Sequence, residues 1–278
     1  SQARMTASLL AEGLVRLFAT AVLIVVVARV AERAGPFVAS TILTLPLFAG
    51  PSYFFLMFEV SAQFLATSVL YAFAGTGPVL AFTAGVVNVI HRFGLLAGLA
   101  TGAVLWLLAA FPLQWMVLDL PLALGWCAAG VALVFAFRRP VDVHAKPMAG
   151  RSGWRPLVLR SLVAGVAVAA VSIMATFLGP EVTGIVVSFP LTLSVSTWLV
   201  YKQYGPHFAA AMLTATQRTL PSYAVFCLGL HLLTPQIGAS LGFMCALAAS
   251  AVSAGLLAWF GLHVARTRNQ QPTQTQVE

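Results

Sequence analysis

The stretch LGPEVTGIVVSFPLTLSVSTWL occupies residues 178–199. It aligns without gaps on AGPFVASTILTLPLFAGPSYFF, residues 34–55, at an offset of 144 residues. Each copy begins with a Gly-Pro pair and carries a second proline ten residues later, Pro46 in the first copy and Pro190 in the second. The shared Gly-Pro pair and second proline, in a gapless alignment, indicate an internal duplication. This duplication decides the architecture that the sequence predicts.

The duplication extends beyond the two quoted copies. The same offset relates Arg16 to Arg160 and Phe64 to Phe208. Five predicted membrane spans separate the starts of the two copies, so the second Gly-Pro pair enters the membrane from the opposite face. The sequence therefore predicts two inverted-topology repeats, an arrangement that recurs in secondary transporters, where the solute binds between the repeats.

The composition predicts a membrane protein. Of 278 residues, 60% are hydrophobic and only 8% are charged, against about 25% charged in a soluble domain. The apolar stretches do not alternate with polar residues as barrel strands do, so we predict an all-α, polytopic membrane helical bundle with Pro-broken helices. About nine transmembrane helices are predicted, at residues 7–30, 36–57, 62–90, 94–112, 121–138, 156–177, 180–201, 206–232 and 238–264.

The chain divides into four predicted regions. Residues 1–140 form repeat 1, with about five transmembrane helices, and residues 156–265 form repeat 2, with about four. A basic cytoplasmic linker, residues 141–155, joins the repeats. Residues 266–278, rich in Gln and Thr, are predicted to be a disordered cytoplasmic tail.

Positive charges set the predicted orientation. The net charge is +8, but the cations are spread over short connections, so we predict no nucleic-acid site. Eleven of the fifteen Lys and Arg residues lie in alternate connections or after the last span. Because cationic connections stay in the cytoplasm, we predict a bacterial inner membrane protein with its N-terminus outside and its C-terminus inside.

The second proline of each copy marks a predicted break in mid-membrane. Pro190 cannot donate to the carbonyl of Val186, and Pro46 cannot donate to that of Ile42, so both carbonyls are predicted to be free. Free carbonyls and nearby hydroxyl groups could bind a solute, whereas the alternative is a kinked helix whose hydroxyls bond their own backbone. The candidate substrate-binding residues at these breaks are Thr44, Pro46, Ser188, Pro190 and Thr192.

Arg218 is the strongest single candidate for a substrate-binding residue. It lies twelve residues into the predicted span 206–232, roughly 18 Å along a helix. An arginine at that depth is expected to face a bundle interior or cavity, and its planar guanidinium suits carboxylate or phosphate. Gln217 adds a polar group at the same depth and is predicted to bind substrate with it. The alternative is a structural arginine that caps carbonyls of a broken helix.

The other ionisable residues give weaker indications of a functional site. Glu181 follows Pro180 in the first turn of a predicted helix, where a carboxylate either caps the helix dipole or couples protons to transport. The five histidines never pair at a spacing of four, so we predict no metal site. No phosphate-binding loop or catalytic set stands out, so we predict no cofactor and no enzyme activity.

Residues 182–201, VTGIVVSFPLTLSVSTWLVY, carry a glycine, Gly184, followed by the aromatic-proline pair Phe189 and Pro190. In this pattern the chain resembles GlpM-like small membrane proteins and related uncharacterised bacterial families. In the first copy, Ser40 and Leu45 replace the glycine and the aromatic residue. The resemblance implies a duplicated integral membrane module and names no substrate. The predicted layout is also similar to that of inverted-repeat transporters with broken helices, such as bile-acid or anion-proton exchangers.

The sequence thus predicts a secondary transporter or exporter of a small anionic or amphiphilic solute, working by alternating access between the repeats. Two alternatives remain open: a non-catalytic membrane scaffold or assembly subunit, and a lipid flippase. The expected partners are the lipid bilayer and the solute, with a second copy or another membrane protein left open.

Overall fold

The computed structural model describes residues 2–33, 49–137 and 153–269, and the regular structure within these ranges is entirely helical. The α-helices are α1 (Gln2–Arg33), α2 (Ala49–Leu56), α3 (Ala62–Ala74), α4 (Thr76–Ala110), α5 (Leu120–Ala136), α6 (Trp154–Ser188), α7 (Leu191–Ile237) and α8 (Ala239–Asn269). A short 3-10 helix, Phe111–Trp115, follows α4. The predicted all-α fold is confirmed for these residues.

Helices extend into the predicted linker and into the predicted tail. Because α6 begins at Trp154, the last two residues of the predicted linker are helical. Because α8 extends to Asn269, residues 266–269 of the predicted tail are helical as well. Residues 141–152 of the linker and 270–278 of the tail lie outside the described residues.

Within the described residues, three helical segments are long and apolar enough to cross a membrane: Ala62–Trp115, Trp154–Ile237 and Ala239–Leu257. They fit an integral membrane protein, but by themselves they do not support the predicted count of about nine spans in inverted repeats. The longest has 84 residues. A straight helix of that length would measure about 126 Å, roughly four times the thickness of the hydrocarbon layer. That segment therefore cannot be a single straight crossing.

Four glycines interrupt the long helices. Gly94 in α4, Gly179 in α6, Gly205 in α7 and Gly238 before α8 all have φ between 78° and 85°. A side chain makes this backbone conformation unfavourable, so glycine is the residue that adopts it without strain. Gly179 and Gly205 fall within connections that the sequence analysis drew between two spans, and Gly94 and Gly238 are the first residues of predicted spans.

At two of these glycines the chain folds back as a helical hairpin. Hairpin 1 (residues 62–110) turns at Gly94: a Cβ added to Gly98 would lie 3.2 Å from the Cβ of Ile90. Hairpin 2 (residues 206–257) turns at Gly238: a Cβ added to Gly242 would lie 3.1 Å from the backbone nitrogen of Thr234. In a straight helix, residues eight apart would be about 12 Å apart. The contacts therefore bring the two arms of each hairpin together.

The two hairpins make the same contacts at equivalent positions. Gly94 and Gly238 are 144 residues apart, as are the contact pairs Ile90–Gly98 and Thr234–Gly242. A third pair repeats in the same way. A Cβ added to Gly85 would lie 3.2 Å from the Cα of Gly102, and one added to Gly229 would lie 3.3 Å from the Cα of Ala246. The offset seen in the sequence therefore relates the packing of the hairpins as well as their residues.

The first arms of the hairpins, which precede Gly94 and Gly238, pack against each other in opposite directions. Near the start of the first arm of hairpin 1, the Ala66 carbonyl lies 2.8 Å from Nδ1 of His231, which is near the end of the other arm. At the opposite end, the rings of His91 and His207 have their centroids 4.6 Å apart. Helices that the 144-residue offset relates are thus antiparallel neighbours.

α1 and the first part of α6 are also equivalent helices, since they carry Arg16 and Arg160. Towards the start of α1, a Cβ added to Gly13 would lie 3.2 Å from Cδ1 of Ile173, well along α6. Towards the end of α1, the Arg29 guanidinium lies 4.2 Å from the ring centroid of Trp154, the first residue of α6. This pair of equivalent helices is therefore antiparallel too.

Candidate functional site

The structure separates the two polar residues that the sequence analysis placed together. Gln217 is half-buried, and its Nε2 donates a hydrogen bond to Oγ1 of Thr83 at 3.0 Å. Arg218 is exposed on the outside of α7 instead of facing the bundle interior. Consecutive residues of a helix point about 100° apart, which accounts for the difference. A role for Arg218 in substrate binding stays a prediction.

The predicted break at Pro190 is present but closed. α6 ends at Ser188 and α7 begins at Leu191. The prediction that Val186 has a free carbonyl was wrong, because Phe189 N–H donates to it at 3.1 Å. Packing also closes the break from the side, since the rings of Phe189 and Trp106 meet edge to face with centroids 4.9 Å apart.

The hydroxyl groups around this break bond their own helices, as the alternative for this region expects. Donors to carbonyls three or four residues earlier are Ser188, Ser194, Ser196 and Thr197. Thr192 is half-buried, and its carbonyl accepts the bond from Ser196 at 2.6 Å. Glu181 is half-buried and forms no hydrogen bond or ion pair with the described part of the chain. Thr44 and Pro46 lie outside the described residues.

A small cleft, mostly apolar but with three polar lining residues, lies beside Gln217, between the first arms of the two hairpins and the end of α5. It holds about 250 Å³ of space, including its open mouth. Its lining residues are Ala84, Val87, Asn88, Val134, Phe137, Thr214 and Gln217. Its polar lining comes from both hairpins, and this makes the cleft the best candidate site among the described residues.

The hydrogen bonds around this cleft fix which way its two amides point. Asn88 Nδ2 donates to the carbonyls of Ala84, at 2.8 Å, and Phe137, at 3.2 Å. The Thr83 hydroxyl donates to a backbone carbonyl, so its oxygen has to accept from Gln217 Nε2. Each nitrogen is therefore the bonded atom. The oxygens, Oδ1 of Asn88 and Oε1 of Gln217, accept no hydrogen bond from the described residues.

The contact between His91 and His207 was not predicted from the sequence. The two residues are 116 positions apart, so no local spacing links them. Each lies within three residues of a positive-φ glycine, Gly94 or Gly205, at the end of a helix. Their contact therefore brings the turn at Gly94 in α4 and the interruption at Gly205 in α7 to the same end of the bundle.

An ion-pair cluster ties α1 to the connection between α2 and α3. The Arg16 guanidinium is buried and pairs with Glu12, with Nη2 3.3 Å from Oε2, and with Glu59. A second bond runs from Nη1 of Arg16 to Oε2 of Glu59 at 3.3 Å. The structure thus gives Arg16 a bridging role between α1 and this connection.

The Glu59 carboxyl should make stability depend on pH. Burial raises its pKa above the usual 4.5, and Arg16 opposes the shift only in part. The folded state therefore holds the proton more tightly, so the stability from this group is full below about pH 4.5 and is lost as the pH rises through the higher folded pKa. Thermal midpoints measured in detergent from about pH 4 to about pH 7 should lose this slope in Glu59→Gln. The exposed Glu12→Gln should keep it, and an unchanged slope in Glu59→Gln would contradict the prediction.

Comparisons of the chain with protein-family models, with curated proteins and with solved structures give no match. Function has to be inferred from the geometry of the chain itself.

Proposed function

We propose that the chain is a secondary membrane transporter or exporter that moves a small solute by alternating access between two inverted repeats. The observation that carries the proposal is the antiparallel packing of helices that the 144-residue offset makes equivalent. Two equivalent helices that run in opposite directions are related by an approximate two-fold axis perpendicular to them. In a membrane such an axis lies in the membrane plane, as it does in inverted-repeat transporters.

Pseudo-symmetry of this kind gives a physical route to transport. The two repeats have nearly the same fold, so each can adopt the conformation of the other at little cost in free energy. The exchange closes the path at one face and opens it at the other. The path in this proposal runs between the first arms of the hairpins, where Gln217 bonds Thr83 and the cleft opens.

The proposed topology has about nine spans in a bacterial inner membrane, with the N-terminus outside and the C-terminus inside. The His91–His207 contact supports this orientation, because it implies that Arg92 and Lys202 lie at the same end of the bundle. Both cations then belong on the cytoplasmic side.

The anionic or amphiphilic class of solute in this proposal comes from Arg218, which lies outside the path between the first arms. A guanidinium part-way along a membrane helix favours a carboxylate or phosphate partner, hence an anionic or amphiphilic solute. Its exposure on the outer surface of α7 favours a second candidate, a lipid flippase whose substrate headgroup reaches Arg218 from the side.

Labelling tests the inversion directly. Phe93 and Ile237 are both exposed, precede the equivalent turns Gly94 and Gly238, and are 144 residues apart. We expect Phe93→Cys and Ile237→Cys to react with a membrane-impermeant maleimide from opposite sides of oriented vesicles. The three native cysteines, Cys127, Cys227 and Cys245, should first be replaced with alanine.

The same vesicles provide the control for this experiment. Leu96→Cys lies just beyond Gly94 on the other arm and is exposed, so it should label from the same side as Phe93→Cys. Labelling of Phe93→Cys and Ile237→Cys from one side would refute the inverted repeats and, with them, alternating access. Uptake of radiolabelled carboxylates and inorganic phosphate by proteoliposomes then tests transport itself.

A further inference from the structure

We propose that the cleft lined by Asn88, Thr214 and Gln217 binds one small monovalent cation. This inference rests on the proposed function, which it deepens by identifying a site for the ion that couples to solute movement. The argument uses three features of the cleft: the free atoms of its side chains, the helix that ends in it, and its size.

The free polar atoms of the lining side chains are mostly acceptors. Asn88 donates both of its N–H groups to backbone carbonyls, and Gln217 donates one of its two to Thr83, which leaves both amide oxygens free for a ligand. The Thr214 hydroxyl donates to the Ala210 carbonyl at 2.9 Å, so only its oxygen lone pairs remain. Three oxygen acceptors against one remaining N–H of Gln217 suit a cation better than an anion.

The end of α5 adds negative potential to the same cleft. Val134 and Phe137 line it, and Phe137 is the C-cap of α5. The last carbonyls of a helix are not used within it and carry the negative end of the helix dipole, equivalent to about half a charge. This second feature is independent of the amide oxygens and favours the same sign of ligand.

The size and charge of the lining select the kind of cation. The enclosed part of the cleft has room for about one water-sized particle. Divalent ions such as Ca²⁺ or Mg²⁺ bind through carboxylates, and no lining residue among those described is acidic. A single Na⁺, K⁺ or NH₄⁺ ion matches both the space and the neutral oxygen ligands.

Thermal unfolding of the purified protein in detergent tests the site without any transport. NaCl, KCl and NH₄Cl are each titrated against choline chloride at constant total salt. We expect saturable stabilisation by at least one of the three small cations and none by choline, which is too large for the cleft. Gln217→Leu keeps the size of the side chain but removes its oxygen, so the dissociation constant should rise about tenfold or more.

Two further variants make the result decisive. Gln203→Leu makes the same change at an exposed position of α7 and should leave the dissociation constant unchanged. Gln217→Glu keeps an oxygen acceptor and adds a negative charge, so it should tighten cation binding about tenfold. This variant tests the site on its own if Gln217→Leu does not fold.

Equal stabilisation by choline and the small cations, or binding unaffected by both Gln217 variants, would overturn the cation site and leave a water-filled cleft. Because the readout is binding, the site and the transport proposal can fail separately. Cation binding without uptake of any labelled solute would refute the transporter and keep the site. If the inversion and solute uptake were observed but no cation bound, the cation site would be refuted and the transporter would be kept.

Discussion

Gly184→Ala is expected to prevent the protein from reaching the fold described above. A Cβ at residue 184 would overlap the Ser68 carbonyl oxygen and lie 2.8 Å from the Cβ of Tyr71. Both residues belong to α3, most of which is buried, and a backbone carbonyl cannot turn away as a flexible side chain can. Overpacking of a core costs about 1–3 kcal/mol where side chains can adjust, and a backbone obstacle should exceed that range. Size-exclusion profiles and thermal midpoints in detergent measure the loss.

Gly125→Ala is the matched control. Gly125 lies within α5, and a Cβ added there would meet nothing within 4 Å. Because alanine is a better helix former than glycine, this change should leave the midpoint equal or higher by the equivalent of about 0.5–1 kcal/mol. If Gly184→Ala also kept the wild-type midpoint, α6 and α3 could not be in contact as the structure has them.

The Gly184 contact also explains part of the sequence pattern. Gly184 is the position at which α6 meets the backbone of α3. The following Phe189–Pro190 pair ends α6, and the phenylalanine ring covers the break against Trp106. Close helix packing therefore accounts for the glycine and the aromatic residue of this pattern.

Local chemistry made some of the fold predictable from the sequence. Helix ends follow from glycine and proline, which act on their own backbone, so the connections at Gly94, Gly179, Gly205 and Gly238 could be located. The equivalent glycines of the two hairpins, such as Gly85 and Gly229, could also have been identified from the sequence, since they are 144 residues apart. They were missed because glycines are common in membrane helices and a single match carries little weight.

The candidate site could not be predicted, because it depends on which way side chains face. Arg218 and Gln217 are neighbours in sequence, yet only Gln217 faces the opposite hairpin. A one-residue error in the orientation of a helix exchanges the two. Asn88 offered a signal that was overlooked, since an amide within an apolar span needs a partner, here the carbonyl of Phe137. The contact of His91 with His207 required the tertiary structure.

Cross-linking the ends of the two first arms is expected to abolish transport. Alternating access requires helices that meet at one end of the bundle to separate there in each cycle. His91 and His207 meet at such an end, with ring centroids 4.6 Å apart. In the background without native cysteines, His91→Cys/His207→Cys bridged by a short bis-methanethiosulfonate should lose uptake of the labelled carboxylates or phosphate. Reduction of the bridge should restore it.

A second cysteine pair controls for the reagent. Phe111 and Trp115 have ring centroids 4.4 Å apart, are both exposed, and lie in one short 3-10 helix. Bridging Phe111→Cys/Trp115→Cys therefore joins no two elements that have to move apart, and uptake should continue. If both bridged variants transported at the wild-type rate, the hairpins would not separate at the histidine end. Transport would then have to follow a path that leaves this contact closed, which alternating access between the two hairpins does not allow.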